Sequence, residues 1–351
     1  MPVVSSSGRT GTHERAMVKG PGVVTGRYGT IGQVFYIEED FWPLNTTLYV
    51  SDFKGNHPEF VANLLRTLDF LAHSDKSSVP GVNRNHLHAT DIFVPMDISE
   101  QKSIAHMLGS LTRKIELNQG ISESLEAIAR AVFKSWFVDT GSLTNWHQAT
   151  LSDVCEYILS GGTPSTKIAA YWDGDVPWLS SGETRNRFIC GTDRTITQDG
   201  IENSSTRLAR RGCTVIASAG QGHTRGQTSL LMIDSYINQS VIALAADKRF
   251  TSDLQLFFDL ERRYEEFRQI SDSQSSRGSL TTKLLGELSV VVPPRELVAK
   301  FDQTVGPLVE RIRLAVQQND TLSSLRSYLL PRLMSGKIHL KNAEKTVEAR
   351  A

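Results

Sequence analysis

With 351 residues and 39% apolar side chains, the chain is long enough to fold as two or more domains with ordinary cores. Its 38 basic and 38 acidic side chains cancel, so the total charge exerts no bulk pull on nucleic acid, and any basic surface must be local. Cys155, Cys190 and Cys213 are odd in number, widely spaced and free of C-x-x-C pairing, which argues against a disulfide framework and a zinc site and fits a reducing cytoplasm. The opening run MPVVSSSGRTGTHER lacks the apolar core of a signal peptide, and no stretch approaches the ~18 apolar residues of a membrane span. A soluble, cytoplasmic chain is expected.

Residues 1–98 read as short strands and turns. Val23-Val24, Val34-Phe35-Tyr36-Ile37 and Thr47-Leu48-Tyr49-Val50 are β-rich runs punctuated by Gly26, Gly29, Gly32 and Pro43. Apolar positions at helical spacing place one short helix over 58–72. Residues 99–138 then form an almost unbroken helix with Ser99 as N-cap and Glu100 at the positive end of its dipole. Residues 138–146 carry Gly141 and small polar side chains and read as a linker. A second mixed region, 146–294, has β runs at Val215-Ile216, Ile237 and 240–244 and one helical stretch over 253–268. A second long helix fills 295–336, where Pro331 should kink or end it and Gly336 should stop it. The tail, 337–351, is polar and expected to fray.

The long helices are two copies of one pattern displaced by 197 residues. Ile104, Leu108, Leu111, Ile115, Leu125, Ile128, Val132, Phe133 and Phe137 are answered by Phe301, Val305, Leu308, Ile312, Leu322, Leu325, Leu329, Leu330 and Met334. Gly109 matches Gly306, and the polar break at Asn118 and Ser122 matches Ala315 and Asn319. A period this long means duplicated domains rather than a solenoid. The mixed regions repeat as well: VVTGRYGTIGQV at 23–34 and VIASAGQGHTRGQT at 215–228 share a β pair, a glycine-rich turn and a Gly-Gln dipeptide, and Asn45-Thr46-Thr47 answers Asn238-Gln239-Ser240.

A rod of roughly 58 Å, at ~1.5 Å per residue, exceeds what one small domain needs, and so narrow an apolar stripe requires a helix beside it. Ile104, Leu111, Leu125 and Val132 with Leu108, Ile115 and Trp136 make one side of a coiled-coil seam, and Asn118 and Ser122 set its register. The other side is Phe301, Leu308, Leu322 and Leu329 with Val305, Ile312 and Leu333. The alternative, each helix packing only on its own module, stays open at this point. The expected fold is α+β: two β-rich domains joined by two long antiparallel coiled-coil-like helices in a pseudo-two-fold internal duplication. An antiparallel pair would act as a ruler between two patches on duplex DNA, which advances ~3.4 Å per base pair.

Several fragments resemble the specificity subunit of type I restriction-modification systems. Lys19-Gly20-Pro21-Gly22-Val23-Val24 running into Gly26-Arg27-Tyr28-Gly29-Thr30-Ile31-Gly32 is similar to the glycine-rich turn of its target-recognition domains. Pro95, Glu100-Gln101 and Ile104-Ala105 resemble the start of its helical region. Gly161-Gly162-Thr163-Pro164-Ser165, Tyr171-Trp172 and Val176-Pro177-Trp178-Leu179 resemble the opening of a recognition domain. The resemblance implies two recognition domains that each read half of a split DNA target. It also implies partner modification subunits that methylate adenine using S-adenosylmethionine and a restriction subunit that translocates and cuts using ATP. The chain itself would hold no cofactor and catalyse nothing; it has neither a G-x-x-x-x-G-K-[ST] loop nor an Asn/Asp-Pro-Pro-aromatic run. One departure stands out: Pro2-Val3-Val4-Ser5-Ser6-Ser7-Gly8 answers Pro177-Trp178-Leu179-Ser180-Ser181-Gly182, so the first domain would lack the counterpart of Leu151 to Ser165 and be impaired. The runner-up role is therefore a truncated scaffold or decoy that binds partner subunits without full DNA recognition.

Reading sequence requires side chains that reach base edges, with Arg and Lys suited to guanine and Asn or Gln to adenine. Candidates in the first turn are Arg27, Tyr28 and Gln33; in the second they are Gln221, His223, Thr224, Arg225 and Gln227. The competing reading is a tight hairpin whose glycines only supply positive φ. Lys167, Tyr171, Arg185, Asn186 and Arg187 are further DNA candidates, set against plain solvated surface. Trp136 and Phe137 are candidates for docking the modification subunits. His86-x-His88 lacks a third ligand at useful spacing, and Gly220-x-Gly222-x-x-x-Gly226 runs into a β segment rather than a phosphate-capping helix. No metal site and no nucleotide loop is expected.

Overall fold

The computed structural model describes residues 1–70, 81–140, 146–220, 223–274 and 279–348. Two compact units emerge: unit 1 joins Met1–Asn118 to Gln318–Ala351, and unit 2 is Gln119–Gln317. The first β-rich stretch comprises β1 (Pro2–Ser5), β2 (Gly8–Thr12), β3 (Gly22–Gly26), β4 (Val34–Ile37), β5 (Trp42–Pro43), β6 (Thr47–Tyr49), α1 (Pro58–Leu65) and α2 (Arg84–His88), and leads into the long helix α3 (Ile98–Phe133). The second comprises β7 (His147–Thr150), α4 (Leu151–Val154), β8 (Cys155–Ser160), β9 (Trp172–Leu179), β10 (Phe188–Ile189), β11 (Arg194–Ile196), α5 (Gln198–Glu202) and β12 (Arg207–Ala209). It continues through β13 (Thr214–Ala217), β14 (Thr228–Leu231), β15 (Ser235–Ile237), β16 (Val241–Ala246), α6 (Asp253–Glu261), α7 (Tyr264–Gln274), α8 (Thr282–Gly286) and β17 (Ser289–Val292). The second long helix α9 (Arg295–Met334) and α10 (Leu340–Glu348) complete the chain.

Strand pairing carries the duplication. In unit 1 the order β4-β3-β6 places β3 between two antiparallel neighbours, and in unit 2 β13 lies between antiparallel β14 and β16 in the same way. Beside these sheets, β1 pairs in parallel with β5, Val3 opposite Trp42, as β9 pairs with β15, Trp178 opposite Tyr236. Val23, Val24, Val215 and Ile216 are buried where the runs of apolar β-formers predicted core strands. The second sheet is larger: β16 has β8 along its outer edge, and β17 pairs with β7.

The long helices pack against each other within each unit. In unit 1, Ile104, Leu108, Leu111 and Ile115 share one core with Leu322, Leu325, Leu329 and Leu333. Their direction is antiparallel, since Asn319 Nδ2 donates to the Ile115 carbonyl (3.3 Å) while Arg326 Nη1 reaches back to Thr112 Oγ1 (3.3 Å). Asn118 is fully buried there and donates to Gln318 Oε1 (2.8 Å) and Asn319 Oδ1 (2.9 Å), a polar clasp that only one register satisfies. In unit 2 the same two helices meet through Ala129, Phe133 and Phe137 against Phe301, Val305 and Ile312.

That second contact departs from the expected heptad. Leu125, Val132 and Trp136 flank the core, and Ala129, Phe133 and Phe137, spaced by four, take its centre. The α-helix gives way to a π-helical turn over Lys134–Val138, closed by Asp139 N–H to the Lys134 carbonyl (2.9 Å). The wider turn brings Phe137 back onto the line of Phe133, whose ring lies 5.0 Å away.

Other element ends also differ from expectation. Asp97, not Ser99, caps α3: its carboxylate accepts from Ser99 N (2.8 Å) and Ser99 Oγ (2.6 Å), which puts Ser99 inside the first turn. The helix expected over 58–72 ends at Leu65, where Thr67 Oγ1 takes the Leu64 carbonyl (2.7 Å). The stretch 253–268 is two helices, α6 and α7. Pro331 neither ends nor interrupts α9, because burial of Leu329, Leu333 and Met334 on both sides of it outweighs one lost backbone bond. Gly336, at φ +68°, does stop the helix. The tail expected to fray forms α10 as far as Glu348, with Ala343 buried in the unit 1 core. The linker expected over 138–146 falls mostly on residues outside the described ones.

Candidate nucleic-acid interface

The first glycine-rich turn is the connection from β3 to β4. Backbone bonds hold it from two sides: Arg27 N–H donates to the Thr46 carbonyl (2.8 Å), and Val82 N–H donates to the Arg27 carbonyl (2.9 Å). Across its neck, Thr25 Oγ1 donates to the Gln33 carbonyl (2.8 Å). Gly26 is obligatory, since a Cβ there would lie 2.0 Å from the Thr30 carbonyl oxygen. With the backbone so fixed, the side chains of Arg27, Tyr28 and Gln33 all face solvent. The Arg27 guanidinium lies over the Tyr28 ring at 4.9 Å, a flat cationic-aromatic surface with spare N–H donors.

The second turn, from β13 to β14, repeats the frame. Ser218 N–H donates to the Ser240 carbonyl (2.9 Å), Leu280 N–H donates to the Ser218 carbonyl (2.9 Å), and Gly226 N–H closes onto the Ala217 carbonyl (2.9 Å). Gly32 and Gly226, the matched glycines of the two turns, have φ of +88° and +86°. The purely conformational reading of the glycines is therefore correct as far as it goes, and the turn still leaves side chains to act. His223 is exposed, and Thr224 and Gln227 are half-buried. Tyr264 steadies the turn by donating its hydroxyl to the His223 carbonyl (2.9 Å). Gln221 lies outside the described residues.

The remaining candidates separate by partner. Arg225 is 11% exposed and ion-paired with Asp272, so its charge is spent inside unit 2. Arg187 is also engaged: it pairs with Glu126 and Glu261, which Arg130 bridges as well. Tyr171 closes a 3-10 turn whose carbonyl takes Thr197 N–H (3.1 Å), and it packs with Trp172 and Trp178. In this structure these three residues are thus engaged within unit 2. Lys167, Arg185 and Asn186 remain exposed, Arg185 only loosely tied to Asp193 (3.6 Å).

Unit 2 gathers several of these groups. Ser229 Oγ donates to the Thr184 carbonyl (3.1 Å), which fastens the Arg185–Arg187 loop to the same hairpin that carries His223 and Gln227. Gln239 hydrogen-bonds Thr163 of the Gly-Gly-Thr-Pro-Ser turn, so that turn adjoins the loop from β15 to β16. Gln239 and Thr46 were not among the sequence candidates. Their signal was present in the matched Asn-x-Thr/Ser triplets, which stand where each module fastens its turn. Trp136 is half-buried beneath Lys300 Nζ at 5.4 Å from its ring. Phe137, by contrast, is 7% exposed and edge-on to Phe301 at 5.1 Å, so Trp136 is the more accessible of the two.

His86 and His88 are both exposed on α2, and among the described residues no group of three His, Cys, Asp or Glu side chains is placed to hold a metal ion. No helix among the described residues is long and apolar enough to cross a membrane.

A family model described as the type I restriction modification DNA specificity domain matches residues 2–127 and again residues 144–303. The chain belongs to this family. Among its relatives, the HindI specificity subunit of Haemophilus influenzae is 21% identical over 88% of this chain and 84% of its own length. The MjaIX specificity subunit of Methanocaldococcus jannaschii is 22% identical over 52% of this chain and 42% of its own length. The fold is shared with a crystal structure of a type I restriction-modification S subunit from M. genitalium, with a TM-score of 0.67, 16% identity, and coverage of 95% of this chain and 88% of that one. As a type I specificity subunit, the chain is a non-catalytic DNA-recognition component. Both matched ranges contain one glycine-rich turn and its fastening strands, so the duplicated frame is the family's own repeat.

Proposed function

We propose that the chain reads a bipartite DNA target, one part with each of its two β-rich modules, and that the paired long helices fix the gap between the parts. The two modules are residues 1–98 and 146–294, the helical spacers are 99–138 and 295–336, and 337–351 is a terminal appendage. The observation that carries the reading is the same turn built twice on the same three-strand frame, each time with exposed or half-buried polar groups suited to base edges or phosphate. These are Arg27, Tyr28 and Gln33 in the first and His223, Thr224 and Gln227 in the second. Lys167, Arg185 and Asn186 supplement the second.

The same reading gives the chain two classes of protein partner in the cytoplasm: methyltransferase subunits that modify adenine and a restriction subunit that translocates and cuts. Solvent-facing apolar residues on the helices, Leu117, Ile121, Ile128 and Leu314, with half-buried Trp136, suit such docking. Sequencing the host methylome with and without the gene tests the whole. A split motif with methylated adenine that disappears on deletion is expected; a contiguous motif, or one that persists, would remove the proposal. A filter-binding assay with modification subunits added separates the scaffold reading, in which partners bind while DNA does not.

A further inference from the structure

Arg194, the first residue of β11, is an exposed cation that the fold orients without neutralising. Its guanidinium lies over the Trp172 ring at 3.6 Å. Among the described residues no carboxylate pairs with it, and its neighbour Asp193 is turned to Arg185 (3.6 Å). The platform beneath is fixed. Trp172 is 6% exposed, stands edge-on to Trp178 at 5.0 Å, and donates its indole N–H to the Ser165 carbonyl (3.1 Å), while Trp178 donates to the Gly162 carbonyl (3.2 Å). The backbone beside Arg194 is held as well: buried Glu183 accepts from Asp193 N–H (2.8 Å) and from Ser180 N–H (2.9 Å), so one carboxylate anchors both the start of β11 and the turn that carries Arg185. The strand registers give the position. Arg194 faces Trp178, one residue before β9 ends, and β9 leaves its sheet beside β15, where Asn238 N–H donates to the Leu179 carbonyl (3.0 Å). The loop that begins at Asn238 fastens the glycine-rich turn through Ser240, so Arg194 and that turn occupy the same end of unit 2.

We propose that Arg194 is a specificity-determining residue of unit 2 and that it reads the major-groove edge of a guanine. The inference rests on the reading of unit 2 as one of two DNA readers and names a base that it reads. Stacking on an indole uses the face of the guanidinium and none of its five N–H donors, so the whole fork is left for a pair of acceptors. Guanine presents that pair, N7 and O6, whereas adenine places a donor where O6 would be. Phosphate oxygens are acceptors too, but a phosphate contact only positions the duplex and is served equally by a flexible lysine. A fork whose plane is set before binding loses little side-chain freedom on docking and rejects an edge that does not match it. Arg187 and Arg225 have spent their forks on carboxylates. Unit 1 carries the same device on its own turn, Arg27 over Tyr28 at 4.9 Å.

The test compares the wild-type chain with Arg194→Ala and Arg194→Lys, by host methylome and by filter binding of the full chain, modification subunits added, to the wild-type target and to an unrelated duplex. Both variants are expected to leave one guanine of the motif degenerate, with every other position and the gap unchanged. Both should weaken target binding ~10-fold while binding to the unrelated duplex holds. Recovery in Arg194→Lys, or equal weakening on both duplexes with a shallower salt dependence, would make the contact a phosphate and overturn the proposal. So would an unaltered motif, or a loss of binding matched by a lower urea midpoint, which would make Arg194 a cover for Trp172 and no more. A contiguous wild-type motif removes the bipartite reading alone, because degeneracy at one guanine is scored against whatever motif the wild-type chain gives.

Discussion

Arg187 and Arg225 illustrate why residue type alone is a weak guide to a DNA contact. Both sit in loops of suitable composition, and both are neutralised by carboxylates of their own unit, Glu126 and Glu261 for one and Asp272 for the other. Replacing Arg187 with Ala is expected to cost about 1 kcal/mol in urea unfolding, a figure kept low because solvent reaches the guanidinium. Arg27→Ala should instead leave stability unchanged and weaken DNA binding ~10-fold in a filter assay, as removal of a base or phosphate contact does. Equal effects of the two changes on DNA affinity at equal stability would contradict this division. Burial governs the thiols in the same way. It pushes Cys155 up to about 12 and raises Cys213, whose Sγ lies 2.9 Å from the Tyr157 hydroxyl. Both thiols are therefore protonated at about pH 8, and iodoacetamide should modify neither until the chain is unfolded in urea. At Asp97 the sign is opposite: hydrogen bonds from Ser99 hold its carboxyl below the usual range. The capping contribution is present above the unfolded carboxylate value and is lost as pH falls through the lower folded value. Asp97→Asn should flatten that acid limb of the melting curve, and an unaltered limb would show that the cap is idle.

At the scale of elements, the sequence discloses the helices far better than the loops. Ile104, Leu108, Leu111 and Ile115 recur at spacings of four and three, and each is buried as that periodicity requires. The same argument misplaces the second half of the seam, because a π-helical turn changes the period locally and no side chain announces it. Pro331 fails as a stop for a related reason: propensity is local, whereas the burial of Leu329 and Leu333 that overrides it comes from a helix far away in sequence. Strand partners were legible only where the chain repeats itself. The fastening of each turn through Thr46 and Ser240, and the pairing that engages Arg225, depend on three-dimensional neighbours that composition does not encode. Asn118 offers a direct check of the helical pair. Asn118→Ala leaves the Gln318 and Asn319 amides without their donor in a buried seam, and should destabilise by about 1–3 kcal/mol. Leu329→Ala, which opens a cavity in the same core, should cost about 2–5 kcal/mol. Losses near zero in calorimetry would mean that the helices do not depend on each other.

For the whole molecule, the proposed role of the helices has a metric consequence. Adding four residues to both α3 and α9 lengthens each by ~6 Å and should widen the tolerated gap in the DNA target by one or two base pairs. A methylome whose gap is unchanged would count against the spacer. The internal duplication was plain in the sequence because α3 and α9 match position for position, yet the inequality between the modules, with β8 along one sheet edge and none along the other among the described residues, needed the strand registers.

Both long helices begin in one unit and finish in the other, so unit 1 is assembled from the two extremes of the chain. This has a consequence for biosynthesis. The bond from Asn319 to Ile115 joins residues 204 positions apart. At ~5–20 residues per second, the ribosome releases the first half of that contact roughly 10–40 s before the second exists. During that interval Ile104, Leu108 and Leu111 present a greasy helical flank to the crowded cell. Unit 2 is one unbroken segment, whereas the flank of unit 1 is covered only once Leu322, Leu325 and Leu329 have emerged.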